Sequence, residues 1–514
     1  MWHKLRRWLY LIHRWMGIAG CLLIAMWFGS GLVMMYVGFP ALTEAERLAG
    51  LPPLDPQRIA VTPDAALRAA GLTAFPRSLR LEMAGAQPVY RFVDEGGRPR
   101  TVSASDGSVI TEVDAMAAQA IAQRFAGRPA RWLDTAERDQ WTVPNSLNAW
   151  RPLHRIGIDD GRGTELYVSA RTGEVVRDTH RSERFWNWLG AVPHWLYFTP
   201  IRQHAPRWRQ LVLWSAGACI AVAVTGIWIG WLRLRVRRRF AHGSMGGTSP
   251  YHGWMAWHHV AGLVGALFLL AWLISGWLSV NPNRWFSGRG FDSAALQRYG
   301  AHAGPTFPTP DWHALLQRAG DRSGGERSSG DRSADVREVR MQWVAGVPVL
   351  LAASAPDAIR ALDARTATPL AWDQARLAQA AAALLPAARV VESTLQTAPD
   401  AYWYSHHTVR RLPVVRVGFD DADRTWAYLD PATGQVLGRG DHSRRLYRWL
   451  FHAAHSYDFV VLTRHRPLWD IVVWLLSTVG LVVSLSGVVV GWRRLRRATH
   501  RAHASPLSPL PTHR

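Results

Sequence analysis

The chain has 514 residues, of which 48% are hydrophobic, and a formal net charge of +22 at pH 7. The hydrophobic residues are concentrated in four blocks without Asp, Glu, Lys or Arg, which excludes an ordinary soluble protein. The two cysteines, Cys21 and Cys219, both lie inside these blocks. The sequence therefore contains neither a disulfide framework for domains outside the blocks nor a CxxCH motif.

The four apolar blocks are each long enough to cross a membrane. They run from about residue 15 to 39, 211 to 232, 255 to 280 and 471 to 492. Because a helix rises about 1.5 Å per residue, roughly 20 residues cross the hydrocarbon core of a bilayer. The sequence predicts four transmembrane helices.

The positive charge is distributed in a way that indicates the orientation of these helices. Residues 1–14, 233–254 and 493–514 contain 4, 5 and 6 Lys or Arg and no acidic residue. All three segments lie on one side of a four-span chain, and the positive-inside rule makes that side the cytoplasm. The weaker alternative is a site for anionic lipid or nucleic acid, and we expect no nucleic-acid partner.

The predicted organisation places both termini in the cytoplasm and two large domains on the outer side of the membrane, which in a bacterial cell is the periplasm or the outer surface. In chain order, the segments are a cytoplasmic N-terminus (1–14), transmembrane helix 1 (15–39), an extracytoplasmic domain (40–207), transmembrane helix 2 (208–232), a basic cytoplasmic loop (233–254), transmembrane helix 3 (255–280), a second extracytoplasmic domain (281–467) with a disordered insertion (321–335), transmembrane helix 4 (468–492) and a basic cytoplasmic tail (493–514).

The chain contains an internal repeat. The segment Trp188–Arg233 recurs 261 positions later without a gap, which aligns His194 with His455. The first block recurs in the third at an offset of 245, which aligns His13 with His258. Both halves are inserted in the same direction, so the fold class is membrane α-helical, a four-span bundle from a tandem parallel duplication.

The two extracytoplasmic domains have mixed α and β patterns. Thr62-Pro63-Asp64 is typical of a helix N-terminus, and the strand-like segments RIGIDD and ELYVSARTGEVV recur as RVGFDD and WAYLDPATGQVL. We predict two small α+β domains with antiparallel sheets.

Histidines near the span ends indicate a cofactor. Haem b needs no covalent motif, only one or two neutral imidazoles that point into an apolar cavity. His13 and His258 lie at the cytoplasmic ends of spans 1 and 3, and His194 and His455 lie in the outer approaches to spans 2 and 4. A pseudo-two-fold axis brings matched residues face to face, which predicts two haems b and an electron path across the membrane.

Other interpretations of these residues stay open at the sequence level. Each haem could be held by histidines from non-equivalent positions, and a lone boundary histidine is often only an interfacial polar residue. His452 and His455, spaced i, i+3, also fit a mononuclear metal site weakly. Small residues such as Gly17 and Gly20 favour close helix packing over a cofactor groove. The reserve ligands are His259, His452, His204 and His465.

The sequence resembles the family of PepSY-associated transmembrane helix proteins, also described as iron-regulated membrane proteins. The resemblance lies in LIHRWMGIAG and WHHVAGLVG, which open spans 1 and 3, and in WNWLGAVPHWLYF with TGIWIGW and WLFHAAHSYDF with SGVVVGW. The outer hairpins ELYVSARTGEVV and AYLDPATGQVL are similar to PepSY units. The resemblance covers nearly the whole chain.

The resemblance implies a four-span protein of the bacterial inner membrane, whose characterised relatives include di-haem reductases of ferric siderophores. Such a protein carries electrons outward and reduces chelated Fe(III). Some relatives carry a fused flavin and nicotinamide domain. Here about 22 residues follow the last span and no GxGxxG opens a βα unit, so we expect a separate cytosolic or membrane electron donor.

The preferred interpretation is therefore a haem-dependent oxidoreductase that reduces a ferric siderophore or another Fe(III) chelate. The first alternative is a non-enzymatic membrane protein whose PepSY units bind peptide or restrain a protease. The second is a carrier for iron or its chelate, which has no intramembrane charge or evident broken helix to favour it.

Overall fold

The computed structural model describes residues 2–234, 249–302, 304–320, 335–406 and 408–503, which form two compact units. The helical unit comprises Met1–Gly38, Trp186–Trp285 and Tyr447–Arg514, and the sheet unit comprises Phe39–Phe185 and Phe286–Leu446. Residues 321–334 of the predicted disordered insertion lie outside the described residues, as do the centre of the basic loop and the end of the tail.

Seventeen α-helices occur in the described part of the chain. They are α1 (Trp2–Met34), α2 (Glu44–Gly50), α3 (Pro63–Ala69), α4 (Ala115–Ala126), α5 (Arg181–Leu189), α6 (Ala191–His194), α7 (Thr199–Arg202), α8 (Ala205–Arg233), α9 (Trp254–Val264), α10 (Ala266–Ser279), α11 (Ser293–Gly300), α12 (Trp312–Gly320), α13 (Gln374–Ala381), α14 (His442–Tyr447), α15 (Ala454–Ser456), α16 (Val460–Arg464) and α17 (Arg466–His503).

Fifteen strands form three antiparallel sheets in the same described part of the chain. They are β1 (Ser78–Ala84), β2 (Gln87–Val93), β3 (Pro99–Ser103), β4 (Val109–Ile110), β5 (Ala130–Ala136), β6 (Leu153–Ile158), β7 (Glu165–Ser169), β8 (Val175–Thr179), β9 (Glu338–Val344), β10 (Val347–Ala355), β11 (Ala358–Asp363), β12 (Val390–Gln396), β13 (Val414–Phe419), β14 (Trp426–Leu429) and β15 (Val436–Gly440).

The helical unit contains three helices that are long and apolar enough to cross a membrane, namely α1, α8 and α17. The fourth predicted span is divided into α9 and α10, which are bent by 72° at a break. Gly265 lies at this break. Glycine inside a helix costs about 1 kcal/mol relative to alanine and is a common site of kinks, which explains the position of the bend.

The long helices pack through small residues. Helix α1 packs against α8 and α17, α17 packs against α9, and α8 packs against α10. A Cβ atom added to Gly20 of α1 would lie 3.6 Å from Val222 and 3.7 Å from Cys219 of α8. Because these distances are already ordinary contacts, a side chain at Gly20 would fill the space between the two helices.

The sheet unit is built around a seven-stranded sheet to which both halves of the chain contribute. Its strand order is β11-β10-β9-β1-β2-β3-β4, with β1 antiparallel to β9 and Leu81 opposite Val339. Two four-stranded sheets, β5-β6-β7-β8 and β12-β13-β14-β15, come from one half each. The strands of the two predicted domains therefore share one central sheet.

The largest hydrophobic core covers one face of this central sheet and includes residues of both halves. Leu81 and Tyr90 from the first half lie in the same cluster as Leu315 and Met341 from the second. Fully burying each such side chain contributes about 1.5–3 kcal/mol, so the two halves stabilise each other.

A buried group of charged side chains lies where β1 meets β9. Glu82 and Glu338 are both buried, and Arg47 of α2 contacts them through Nη1 at 3.2 Å and Nη2 at 2.6 Å respectively. Burial alone would raise the pKa of Glu82, but the guanidinium groups of Arg91, Arg80 and Arg47 outweigh it and lower this pKa to about 2. Glu82 is thus held as a carboxylate by its arginine neighbours.

Candidate functional site

The first candidate site contains His13 of α1 and His258 of α9, whose ring centres are 6.2 Å apart. The Nδ1 atom of His13 lies 3.0 Å from the carbonyl oxygen of Val222, and that of His258 lies 2.9 Å from the carbonyl oxygen of Val483. A carbonyl oxygen can only accept a hydrogen bond, so each Nδ1 donates its proton. In the neutral ring, Nε2 then carries the lone pair that a metal requires.

The second candidate site contains His194 and His455, whose ring centres are also 6.2 Å apart. The Nδ1 atom of His194 lies 3.1 Å from the hydroxyl of Ser30 and 3.1 Å from the carbonyl oxygen of Trp27. The Nδ1 atom of His455 lies 3.0 Å from the hydroxyl of Ser275. Both rings are therefore oriented through Nδ1, as in the first site.

Each of the four rings lies against a glycine of a neighbouring helix. A Cβ atom added to Gly226 would lie 2.6 Å from Cε1 of His13, and one added to Gly487 would lie 3.1 Å from Cε1 of His258. The corresponding distance is 3.4 Å both from Gly31 to His194 and from Gly276 to His455. The missing side chains at these glycines make room for the imidazoles, which are the four rings that the sequence predicts as ligands.

The distance between the ring centres in each pair can be compared with the ring-centre distance expected when one metal ion binds two imidazoles. A metal–imidazole bond is about 2 Å long and the ring centre lies about 1 Å behind the nitrogen, so trans ligands of one metal have ring centres roughly 6 Å apart. The measured separation of 6.2 Å in both pairs agrees with this value. Both pairs therefore meet the distance condition for two imidazoles that bind one metal ion.

The local structure differs between the two histidines of the second pair. His194 ends the short helix α6, whereas His455 lies in α15, directly after the π-helical segment Arg448–Ala453. The indole Nε1 of Trp272 donates a hydrogen bond of 2.6 Å to the backbone oxygen of His455. Single π-helical turns often occur at functional sites.

The two pairs are well separated along α1. His13 belongs to the first pair, and Gly31, which contacts His194, lies 18 residues further along the same continuous helix. At 1.5 Å per residue this corresponds to roughly 27 Å, close to the thickness of a hydrocarbon core.

The reserve histidines have different surroundings. Both ring nitrogens of the buried His259 are engaged, with Nδ1 2.8 Å from the Ser249 hydroxyl and Nε2 3.0 Å from the Gly230 carbonyl oxygen. His204 is exposed before α8, and His465 is exposed before α17 with its Nδ1 2.9 Å from the carbonyl oxygen of Val461.

The ring of His452 lies among aromatic side chains. Its ring makes edge contacts with Tyr447 and Phe451, whereas the Phe451 ring stacks on His455 at 5.1 Å. Within the described ranges, the sole group of three or more His, Cys, Asp or Glu side chains arranged to hold a metal lies elsewhere, in the sheet unit. Two aromatic rings thus lie against the His452 imidazole.

Sequence reasoning did not identify the groups that orient the rings. Val222 and Val483 are 261 positions apart, and Ser30 and Ser275 are 245 positions apart. The repeat that aligned the histidines therefore also aligned their hydrogen-bond partners. The carbonyl contacts could not be predicted, because every residue has a backbone carbonyl group and residue type does not show which one accepts a hydrogen bond.

Comparison with known proteins decides the family. The family model described as the PepSY-associated TM region matches residues 10–345 and again residues 340–513. The chain belongs to this family. The PepSY-associated TM assignment confirms the predicted resemblance, and together with the apolar helices it identifies a membrane protein. No curated protein matches the chain.

Proposed function

We propose that this PepSY-associated TM protein is a four-span, b-type di-haem electron-transfer protein of the bacterial inner membrane that reduces an Fe(III) chelate at the periplasmic face. The observation that carries the proposal is the pair of equivalent histidine pairs, each with ring centres 6.2 Å apart. A single histidine pair is also compatible with an incidental contact between neighbouring rings, whereas two equivalent pairs in one helical unit favour a cofactor function.

In this proposal His13 and His258 hold the inner haem, and His194 and His455 hold the outer haem. Bound haem b supplies one-electron redox chemistry. The protein's own groups fix the ligands, because the carbonyl oxygens of the first pair and the serine hydroxyls of the second accept the Nδ1 protons. Such partners set the tautomer and the ring orientation of a metal-bound histidine.

The proposed topology counts the bent pair α9–α10 as the third span. With α1, α8 and α17 this gives four spans and places residues 1–14, 233–254 and 493–514 in the cytoplasm, in agreement with their Lys and Arg content. A helix broken within the membrane leaves backbone groups that neighbouring helices must shield. Helix α17 packs against α9 and α8 against α10, which supports this assignment.

The substrate in this proposal is a ferric siderophore or another Fe(III) chelate. One electron converts Fe(III) to Fe(II), and a separate donor in the cytosol or membrane replaces that electron. The reaction needs no general acid, base or nucleophile from the chain, so the role of the protein is to bind, orient and shield the redox groups.

A second candidate function is peptide binding by the sheet unit. Strands β5 and β12 are terminal strands of their sheets and carry exposed hydrophobic residues, namely Trp132, Val391 and Leu395. A terminal strand can accept an extended peptide by strand addition. This observation favours a binding role that does not depend on haem.

A reduction assay separates the two functions. Purified protein, chemically reduced without oxygen, would be mixed with a ferric hydroxamate or catecholate chelate, and haem reoxidation would be followed together with the appearance of Fe(II) in a chromophoric Fe(II) chelator. We expect one Fe(II) for each haem electron, and a strong loss of rate in His455→Ala but not in His259→Ala. Protein that contains haem but yields no Fe(II) from any chelate would contradict the proposed substrate.

A further inference from the structure

Three potential ligand side chains converge in the sheet unit, in the first half of the chain. Glu46 lies in α2, Asp178 lies in β8, and His180 follows that strand directly. One ligand atom from each residue lies within 4.8 Å of the others, and Nε2 of His180 is 4.0 Å from Oδ2 of Asp178.

The ring of His180 is held in the orientation that a metal ligand needs. Its Nδ1 lies 2.8 Å from the hydroxyl oxygen of Thr164, and that hydroxyl donates its own proton to the carboxylate of Asp160. The hydroxyl oxygen must therefore accept the Nδ1 proton, which leaves the lone pair on Nε2, the atom that faces Asp178. A carboxylate behind the distal ring nitrogen is a common support for a metal-bound histidine.

Asp178 is a buried carboxylate beside the other two ligands. The residue is only 8% exposed, and its Oδ2 lies 4.0 Å from Nε2 of His180, which is too far for a hydrogen bond. Arg177 precedes it in the chain, but Nε and Nη1 of Arg177 are themselves buried without a hydrogen-bond partner. The nearest ligand atom of Glu46, also a carboxylate oxygen, lies within 4.8 Å of that of Asp178. A buried carboxylate among other carboxylates is unfavourable unless a cation joins it.

The second half of the chain contains a cation at the equivalent position. At the offset of 261, Asp178 corresponds to Arg439 and His180 corresponds to Asp441. Nη2 of Arg439 lies 3.3 Å from Oδ2 of Asp441, so these two positions form an internal ion pair. The third position differs as well, because α11 carries Ala295 three residues after its N-cap, where α2 carries Glu46.

We propose that Glu46, Asp178 and His180 form a binding site for one divalent transition-metal ion such as Zn²⁺, which supplies in the first half the positive charge that Arg439 supplies in the second. One imidazole and two carboxylates favour Zn²⁺ or a similar ion over Mg²⁺ and Ca²⁺, which prefer oxygen ligands only. The three ligand atoms lie within 4.8 Å of one another, and metal–ligand bonds of about 2 Å bring tetrahedral ligand atoms to roughly 3.3 Å, so binding requires a contraction of up to about 1.5 Å. The site does not depend on haem in the helical unit.

Zinc binding to the full-length, metal-stripped protein in detergent tests this site. Zn²⁺ would be titrated in competition with a chromophoric chelator, with Mg²⁺ and Ca²⁺ as comparisons. We expect the wild type to bind one more Zn²⁺ per chain than His180→Ala, or to bind it at least about 100-fold more tightly. His313→Ala removes an exposed histidine of α12 and is the matched control, which should bind zinc as the wild type does.

Two further variants separate metal binding from folding. Glu46→Gln changes an exposed residue and Asp178→Asn removes the buried charge, so both should fold, and in both zinc should no longer raise the melting temperature of the protein. Without zinc, Asp178→Asn should melt at the same temperature as the wild type or above it. The assignment would be overturned if the wild type and all three site variants bound zinc with equal stoichiometry and affinity. It would also be overturned if the wild type bound no more zinc than His180→Ala.

Discussion

Replacement of Gly226 by alanine perturbs the His13–His258 pair while both proposed ligands stay in the sequence. The added Cβ atom would lie 2.6 Å from Cε1 of His13, about 0.8 Å closer than an ordinary contact of 3.4 Å. Either α8 moves away from α1 or the ring moves, and overpacking of this kind costs about 1–3 kcal/mol. Metal–ligand distances tolerate only about 0.2 Å, so a shift of this size should displace His13 from an iron. We expect haem content to fall from two to about one per chain.

The assay for Gly226→Ala is haem per chain, with the reduced-minus-oxidised spectrum as a second measurement. Gly29→Ala is the matched control, because a Cβ atom added to Gly29 of α1 meets nothing within 4 Å. The control should retain both haems. If Gly226→Ala also retains two haems with an unchanged spectrum, the close approach of this glycine does not position a ligand, and the reasoning about the first pair is refuted.

Three further predictions concern other groups. His259→Ala should leave the haem content unchanged and lower the melting temperature, because two buried hydrogen bonds are lost at about 1–3 kcal/mol. Ser30→Ala should weaken haem retention at the His194 pair by about 10- to 100-fold, measured by transfer of haem to apomyoglobin, with the other pair unaffected. Glu82→Ala should destabilise the sheet unit by about 3–5 kcal/mol in denaturant melts at pH 7. Because the folded pKa of Glu82 is about 2 and its ordinary value is 4.5, its contribution to stability is complete above pH 4.5 and is lost as the pH falls towards 2, a loss that Glu82→Gln should lack.

Much of the helical unit could be predicted from the sequence, because apolar blocks and charge distribution act over whole segments. The repeat aligned His13 with His258 and His194 with His455, and the structure brings both pairs together. The break at Gly265 was not predicted. Glycine recurs in unbroken α1 at the matched position, so residue identity alone does not determine whether a helix bends.

The arrangement of the sheet unit could not be predicted from local patterns. Alternating segments indicated strands, but the pairing of β1 with β9 joins residues about 260 positions apart, which no local periodicity can reveal. The Glu46, Asp178 and His180 cluster escaped the sequence reasoning for the same reason. Its members come from a helix and a strand that are far apart in the chain, and they have no counterpart in the repeat.

The central claim is that equivalent histidines hold two haems. It is tested most directly by counting haem in the wild type, His258→Ala and His455→Ala after haem-replete expression, with low-temperature electron paramagnetic resonance to identify the axial ligands. The account predicts two low-spin bis-imidazole haems in the wild type, with one signal lost in each variant and the other retained. A colourless wild type, or variants that both keep two bis-imidazole signals, would contradict it.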